Sequence, residues 1–216
     1  DAILLEAKKS DKKNLLDERE TELKRLIGEL ENLNASQKKV YYDHFYTIVL
    51  EAKTQINDAH NASVVEEIYQ KAMSDLNKQF RLAENENQEN LDKLKADYQT
   101  DLRDRAIEIK DLINQLPALG TDGKVFTDKV DDILQTALTD LIEDNDAATL
   151  TSIYETALSA MTQELSSARI LSEKKVALEE IESRYLQALD VLSTIQGLTS
   201  LQISQFKQRP LDYLND

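Results

Sequence analysis

The sequence predicts an all-α chain: tandem up-down-up three-helix bundles joined through long shared helices into an elongated rod. Three observations carry this expectation. Apolar residues recur every three or four positions, glycine and proline are scarce, and the chain contains an internal repeat. Val65, Ile68, Ala72, Leu76 and Phe80 line one face of a helix at that spacing and would scatter over both faces of a strand. Leu91, Leu94, Tyr98, Leu102, Ala106, Ile109, Ile113 and Leu116 continue the same kind of stripe, with charged residues between them. Only 4 Gly and 2 Pro stand among 216 residues, too few to punctuate a many-stranded sheet.

Each element follows from this patterning and its breaks. The first helix is expected from Ile3 to Leu33, with Gly28 tolerated inside it at a cost of about 1 kcal/mol. Asn34-Ala35-Ser36 interrupts, and Ser36 is the expected N-cap of a helix from Gln37 to Ala59. His60-Asn61-Ala62-Ser63 breaks again, and Ser63 with Glu66 fits a capping box that opens a long helix from Val64 to Gln115. Pro117 to Gly123 is the clearest loop. A helix from Lys124 to Ile142, a turn at Glu143–Asp146 and a second very long helix from Ala147 to Gln196 follow. Gly197 suits the residue just past that helix, and Thr199 or Ser200 can cap a last short helix, with Pro210 spoiling its end.

The repeat has an offset of 85 residues. It places Lys39 on Lys124, Val40 on Val125, Asp43 on Asp128, Ile68 on Ile153, Tyr69 on Tyr154 and Ala72 on Ala157. Across positions 37–78 there are 11 identities in 42 ungapped pairs, well above chance. Upstream, Leu26-Ile27…Leu30…Leu33 matches Leu112-Ile113…Leu116…Leu119 at offset 86, and a third start appears at Val191-Leu192…Ile195…Leu198. Each repeat thus reads as helix, helix, helix, the third continuing into the first of the next. The expected domains are residues 1–83, 84–168 and 169–216, the last being the first part of a third bundle or a C-terminal helical hairpin. Ala83 to Asn90 holds no large apolar residue and is expected to be an exposed waist.

Composition narrows the function. A net charge of −15 opposes binding to a nucleic-acid backbone. The absence of cysteine removes disulfides and thiolate metal sites, and no apolar run approaches the ~20 residues that span a bilayer. The acidic helix faces also oppose amphipathic membrane binding. Neither histidine, His44 or His60, has a second ligand at metal spacing, and the acidic clusters lack the order of a calcium loop, so no metal or cofactor is expected. With no held imidazole or activated nucleophile, no enzyme is expected. Asn34-Ala35-Ser36 and Asn61-Ala62-Ser63 match the glycosylation triplet but sit where helix caps belong.

The candidate partner-binding residues are Tyr42, His44 and Tyr46. Tyr41 and Phe45 align with Phe126 and Val130 and should be core. Tyr42, His44 and Tyr46 align with Thr127, Lys129 and Asp131, so they should be exposed. Tyr42 and Tyr46, four apart, share a helix face, and exposed tyrosines are common binding hot spots. Packing against the edge of a neighbouring helix is the competing reading.

The run Ile27…Leu30…Leu33-Asn34…Gln37-Lys38-Lys39…Ala52…Ile56…Val65…Ile68…Ala72…Leu76-Asn77 resembles the GA and FIVAR-like three-helix modules of Gram-positive surface proteins. The long shared helices also look like the stalks of streptococcal cell-wall adhesins. Repeat two departs from the pattern, replacing the turn with Leu119-Gly120-Thr121-Asp122-Gly123-Lys124. The resemblance implies a non-enzymatic adhesin, extracellular and cell-wall anchored in the full-length protein, that binds a host extracellular protein such as albumin, a complement regulator or a matrix component. A purely structural, spectrin-like spacer is the alternative. The bundles can close their own cores, so a monomer is expected. No signal-peptide pattern, LPxTG-type motif or proline-rich wall segment occurs, as expected of a piece of a longer chain.

Overall fold

The computed structural model describes residues 2–195 and 197–205, and these are helical with no strand. Five long helices follow in order: α1 (Ala2–Gly28), α2 (Ala35–Asp58), α3 (Ala62–Asn114), α4 (Asp122–Glu143) and α5 (Ala147–Thr194). A short helical stretch occupies 200–205. The chain divides into two compact units, Asp1–Thr100 with Leu141–Ser152, and Asp101–Asp140 with Ile153–Asp216.

In the first unit, α1, α2 and the N-terminal half of α3 bury one stripe each around a common core. Leu16, Leu23 and Ile27 come from α1, Phe45, Val49 and Ile56 from α2, and Val65, Ala72, Leu76 and Ala83 from α3. The directions follow from cross-helix contacts. Lys9 near the start of α1 reaches the Asn57 carbonyl at the end of α2 (2.9 Å), so these two helices are antiparallel. Lys8 and Lys12 meet Glu66 early in α3 (3.1 and 3.3 Å), while Arg19 donates to Asn77 farther along (2.6 Å), so α1 and α3 run parallel. The three-helix bundle is therefore up-down-up.

In the second unit the core draws on Leu102, Ile109 and Ile113 of α3, Val130, Leu134 and Ala137 of α4, and Ala157, Met161, Leu165 and Ala168 of α5. Lys110 pairs with Asp131 (2.6 Å), Lys129 with Glu164 (3.2 Å) and the Tyr154 hydroxyl with Asp101 (2.6 Å), tying the three segments together.

The element boundaries correct four expectations. Helix α1 ends at Gly28 rather than Leu33. The backbone tightens there through Glu29 N–H to Leu26 and Leu30 N–H to Ile27 (3.1 and 3.2 Å), and Lys38 Nζ caps the Gly28 carbonyl (2.9 Å). Leu30 and Leu33 keep their place in the core from the loop, Leu33 fully, so the apolar pattern outlasts the helix. The N-cap of α2 is Asn34, not Ser36. Its Oδ1 accepts from the Ser36 and Gln37 amides, and the Gln37 side chain accepts from the Asn34 amide, a complete capping box. Helix α3 starts at Ala62, capped by Asn61, whose Oδ1 accepts from Ser63 and Val64 (3.0 Å each), rather than by a Ser63 box. In both places the Asn two residues before the Ser holds the cap position, and its Oδ1 accepts from two successive amides.

The fourth correction concerns 83–90, which is not a bare waist. Ala83 is fully buried. Asn87 Oδ1 accepts from the Asn32 amide (2.9 Å), and Asn90 donates to the Asn32 carbonyl (2.8 Å). Glu86 accepts from Gln37 Nε2 and from the Tyr41 hydroxyl (2.6 Å each). The segment lacks apolar residues because its task is to satisfy the polar backbone of the α1–α2 loop. Other expectations hold. Helices α3 and α5 each run through without a break, Asp146 caps α5 by accepting from the Thr149 amide (2.7 Å), and Gly197 takes φ 104° after α5. Pro210 lies outside the described residues.

The cap assignment is checked by substitution. Asn34→Ala is expected to cost about 1 kcal/mol of stability, and Ser36→Ala no more than a few tenths, read from urea unfolding midpoints.

Candidate binding surface

The two sequence repeats share a polar skeleton that the offset predicts only in part. Lys9 caps the end of α2 at the Asn57 carbonyl. Lys95, at offset 86, reaches the Ile142 carbonyl (3.2 Å) and Asn145 (3.0 Å) at the end of α4. Cations at helix C-termini satisfy orphan carbonyls and meet the negative end of the dipole. Lys39 pairs with Asp43 and Lys124 with Asp128, both at 2.6 Å. Arg19 pairs with Glu22 at 2.5 Å and Arg105 with Glu108 at 2.8 Å.

One position shows the chemistry being conserved while the atoms change. Asn87 accepts from the amide of Asn32 in the α1–α2 loop. The counterpart of Asn87 is Ser172, whose hydroxyl donates to the Pro117 carbonyl instead (2.6 Å). Likewise Asn90 contacts Gln37 Oε1 (3.4 Å), and at the equivalent places Lys175 pairs with Asp122.

The candidate residues sit on α2 within this frame. His44 Nδ1 lies 3.2 Å from Gln79 Oε1, and its counterpart Lys129 pairs with Glu164, the counterpart of Gln79. The His44 ring also stands edge-on to Tyr41, with centroids 6.5 Å apart. His44 is thus a rung between α2 and α3. Two residues from Tyr42 and Tyr46 along the helix, it lies on another side, and the three candidates do not converge.

Tyr46 is exposed, at 58%, as expected. Tyr42 is not. It is half-buried and packs against the core, with its hydroxyl 3.8 Å from where a Cβ on Gly28 would stand. The reason is a groove between the first and second helices of each unit. In the second unit it is open, about 410 Å³, and lined by Ile107, Lys110, Asp111, Asn114, Thr127 and Asp131. The first unit has Gly28 in place of Asn114 and Tyr42 in place of Thr127, so the tyrosine ring lies against the helix where glycine leaves room.

A third residue on this face was missed. Leu50, four residues beyond Tyr46, is 49% exposed, and its counterpart is Gln135. The repeat alignment that singled out Tyr46 against Asp131 would have found it. Tyr42, Tyr46 and Leu50 therefore form an apolar stripe along α2, half-buried at Tyr42 and exposed at the other two, at positions that are polar in the second unit.

Tyr41 and Glu66 in the first three-helix bundle have shifted titrations. Burial, reinforced by the hydrogen bond to Glu86, pushes the Tyr41 phenol up from 10.0 to about 12. Hydrogen bonds from Gln70 and Lys8 lead the effects that lower the Glu66 carboxyl from 4.5 to about 2, against opposing desolvation. Among the described residues no group of three or more His, Asp or Glu could hold a metal ion, and no helix is long and apolar enough to cross a membrane. Compared with known proteins, the chain matches no family model, no curated protein and no solved structure.

The Tyr41 shift sets a pH dependence. A phenol whose folded value is raised stabilises fully below its unfolded value of 10.0, and that contribution is lost as pH rises through about 12. Tyr41→Phe is expected to lose less of its urea midpoint between pH 9 and pH 11.5 than the parent chain does.

Proposed function

We propose that this chain is a non-enzymatic binding segment of a bacterial surface protein. In this reading it captures a host extracellular protein through a bundle face, not through a cleft. The observation that carries it is the stripe of Tyr42, Tyr46 and Leu50. The two repeats keep rungs at equivalent positions, yet this face changes from polar to apolar. Structural need does not explain the change, because the second unit closes its core with Asp131 and Gln135 at those positions. Exposed tyrosine beside an aliphatic residue is the composition of interface hot spots. Lys24 and Arg25, counterparts of two groove residues, supply charged rim positions. The resemblance to Gram-positive surface modules supports the host-protein class of partner and an extracellular, wall-anchored location. Each trio of helices closes its own core, which supports a monomer.

A structural spacer of spectrin type is the second reading. The duplicated polar skeleton favours it, since Lys9 and Lys95, or Asn87 and Ser172, serve only to hold helix ends and loops.

A plasma pull-down followed by titration of the captured protein separates the two. For a binding face, Tyr46→Ala and Leu50→Ala each weaken the complex about tenfold, roughly 1.4 kcal/mol, with helicity unchanged. Capture of nothing from plasma or epithelial extracts, or an affinity unchanged from the parent chain in both variants, would leave the spacer reading standing. Sedimentation at increasing concentration is expected to return the mass of one chain.

A further inference from the structure

The distal half of α5 carries large apolar residues in the open. Ile181, Val191 and Ile195 are between 49% and 62% exposed. Their identity follows from aligning this segment with the first helices of the two units, at offset 79 from the second and 165 from the first. Leu16, Leu102 and Ile181 then coincide, as do Ile27, Ile113 and Leu192, and Leu33, Leu119 and Leu198. The polar skeleton coincides too: Lys9, Lys95 and Lys174, and Arg19, Arg105 and Arg184. In the first two sets the apolar positions are at most 3% exposed, whereas Ile181 is 53% exposed and Leu192 and Leu198 are half-buried.

The next element repeats as well. Leu33-Asn34-x-x-Gln37 opens α2 with a capping box. Leu198-Thr199-x-x-Gln202 opens the stretch at 200–205 in the same way. The Thr199 amide donates to Gln202 Oε1 (2.9 Å), as the Asn34 amide donates to Gln37 Oε1 (2.9 Å), and the Gln202 amide donates to Thr199 Oγ1 (3.3 Å). Gly197, with φ 104°, supplies the left-handed residue in the connection.

We infer that residues 170–205 are the first helix and the opening turn of the second helix of a third repeat. The exposed face of α5 is then a docking surface for an antiparallel helix pair of this chain's own repeat type. The occupant is fixed by the equivalent interface. In both closed repeats the equivalent core positions are covered by a second helix that follows the loop after Leu33 or Leu119 and by a third that runs parallel to the first. The apolar stripe, the capping lysine and the cap residues are already in register for such a pair.

The test has two arms. In the intact chain, backbone amides at 178–194 are expected to exchange with deuterium about tenfold or more faster than those at 99–112, at any protein concentration. Leu192→Asp should leave the thermal midpoint unchanged, while Ile113→Asp lowers it by several degrees. In an extended chain, residues after Leu198 are replaced by a second copy of residues 120–172, which follow the equivalent Leu119. Exchange at 178–194 should then slow about tenfold or more, and Leu192→Asp should abolish the slowing. If the extended chain gains no protection, or fails to gain helicity, the docking surface is not of this type. If exchange at 178–194 in the intact chain slows with concentration as a dimer forms, a second copy is the occupant and the inference falls. A drop in midpoint for Leu192→Asp in the intact chain also overturns it, since the face would already be covered.

Discussion

No helix of this chain can bury its apolar stripe alone, and the need to share that burial among three helices is the constraint from which the structure follows. Isolated helices of this composition gain little from propensity. Once three stripes face one another, Phe45, Leu16, Leu76 and their neighbours leave water together. Two chain reversals per unit then become unavoidable, and with them a set of loop amides and helix-end carbonyls that need partners. The polar residues of α1, α3 and α5 are placed to answer that need. Lys9 and Lys95 meet the carbonyls where the second helices end. Asn87, Asn90, Ser172 and Lys175 hold the loops where those helices begin.

Much of this was legible in the residues. Helical periodicity, the 85-residue offset and the scarcity of glycine gave the all-α class and the long uninterrupted spans of α3 and α5. What remained hidden depended on partners distant in sequence. Leu30 and Leu33 keep helical spacing, yet they occupy a loop, because a core position can be filled from either. Ser36 looked like a cap because local rules rank Ser beside Asn, and only the geometry of Asn34 with Gln37 decides. The run 83–90 looked bare because the loop it serves lies more than fifty residues earlier. The polar counterpart Thr127 makes Tyr42 look exposed from sequence. The pairing that buries it needs Gly28, on another helix, to be noticed at the same time.

The comparison of the two units separates what the fold requires from what it merely permits. Where both keep an interaction by different means, as His44 with Gln79 and Lys129 with Glu164, the contact between elements matters and the side chains are interchangeable. Where they diverge in character without structural cost, as Tyr46 and Leu50 against Asp131 and Gln135, the residues are free to answer to something outside the chain. That contrast locates a candidate recognition face from the comparison of equivalent positions alone.

The exchange of Asn87 with Asn32 for Ser172 with Pro117 has a consequence for how such an array can grow. An amide oxygen that expects a hydrogen and a hydroxyl that supplies one are not interchangeable keys. Recombination between the duplicated stretches that joined one unit's loop to the other unit's third helix would set Asn87, an acceptor, against a loop whose partner group is a carbonyl, or leave Ser172 facing a loop shaped for another grip. Insertions and deletions that respect the boundaries of a whole unit avoid the mismatch. Lineages of this protein should therefore differ in the number of units they carry more readily than in hybrids of their parts.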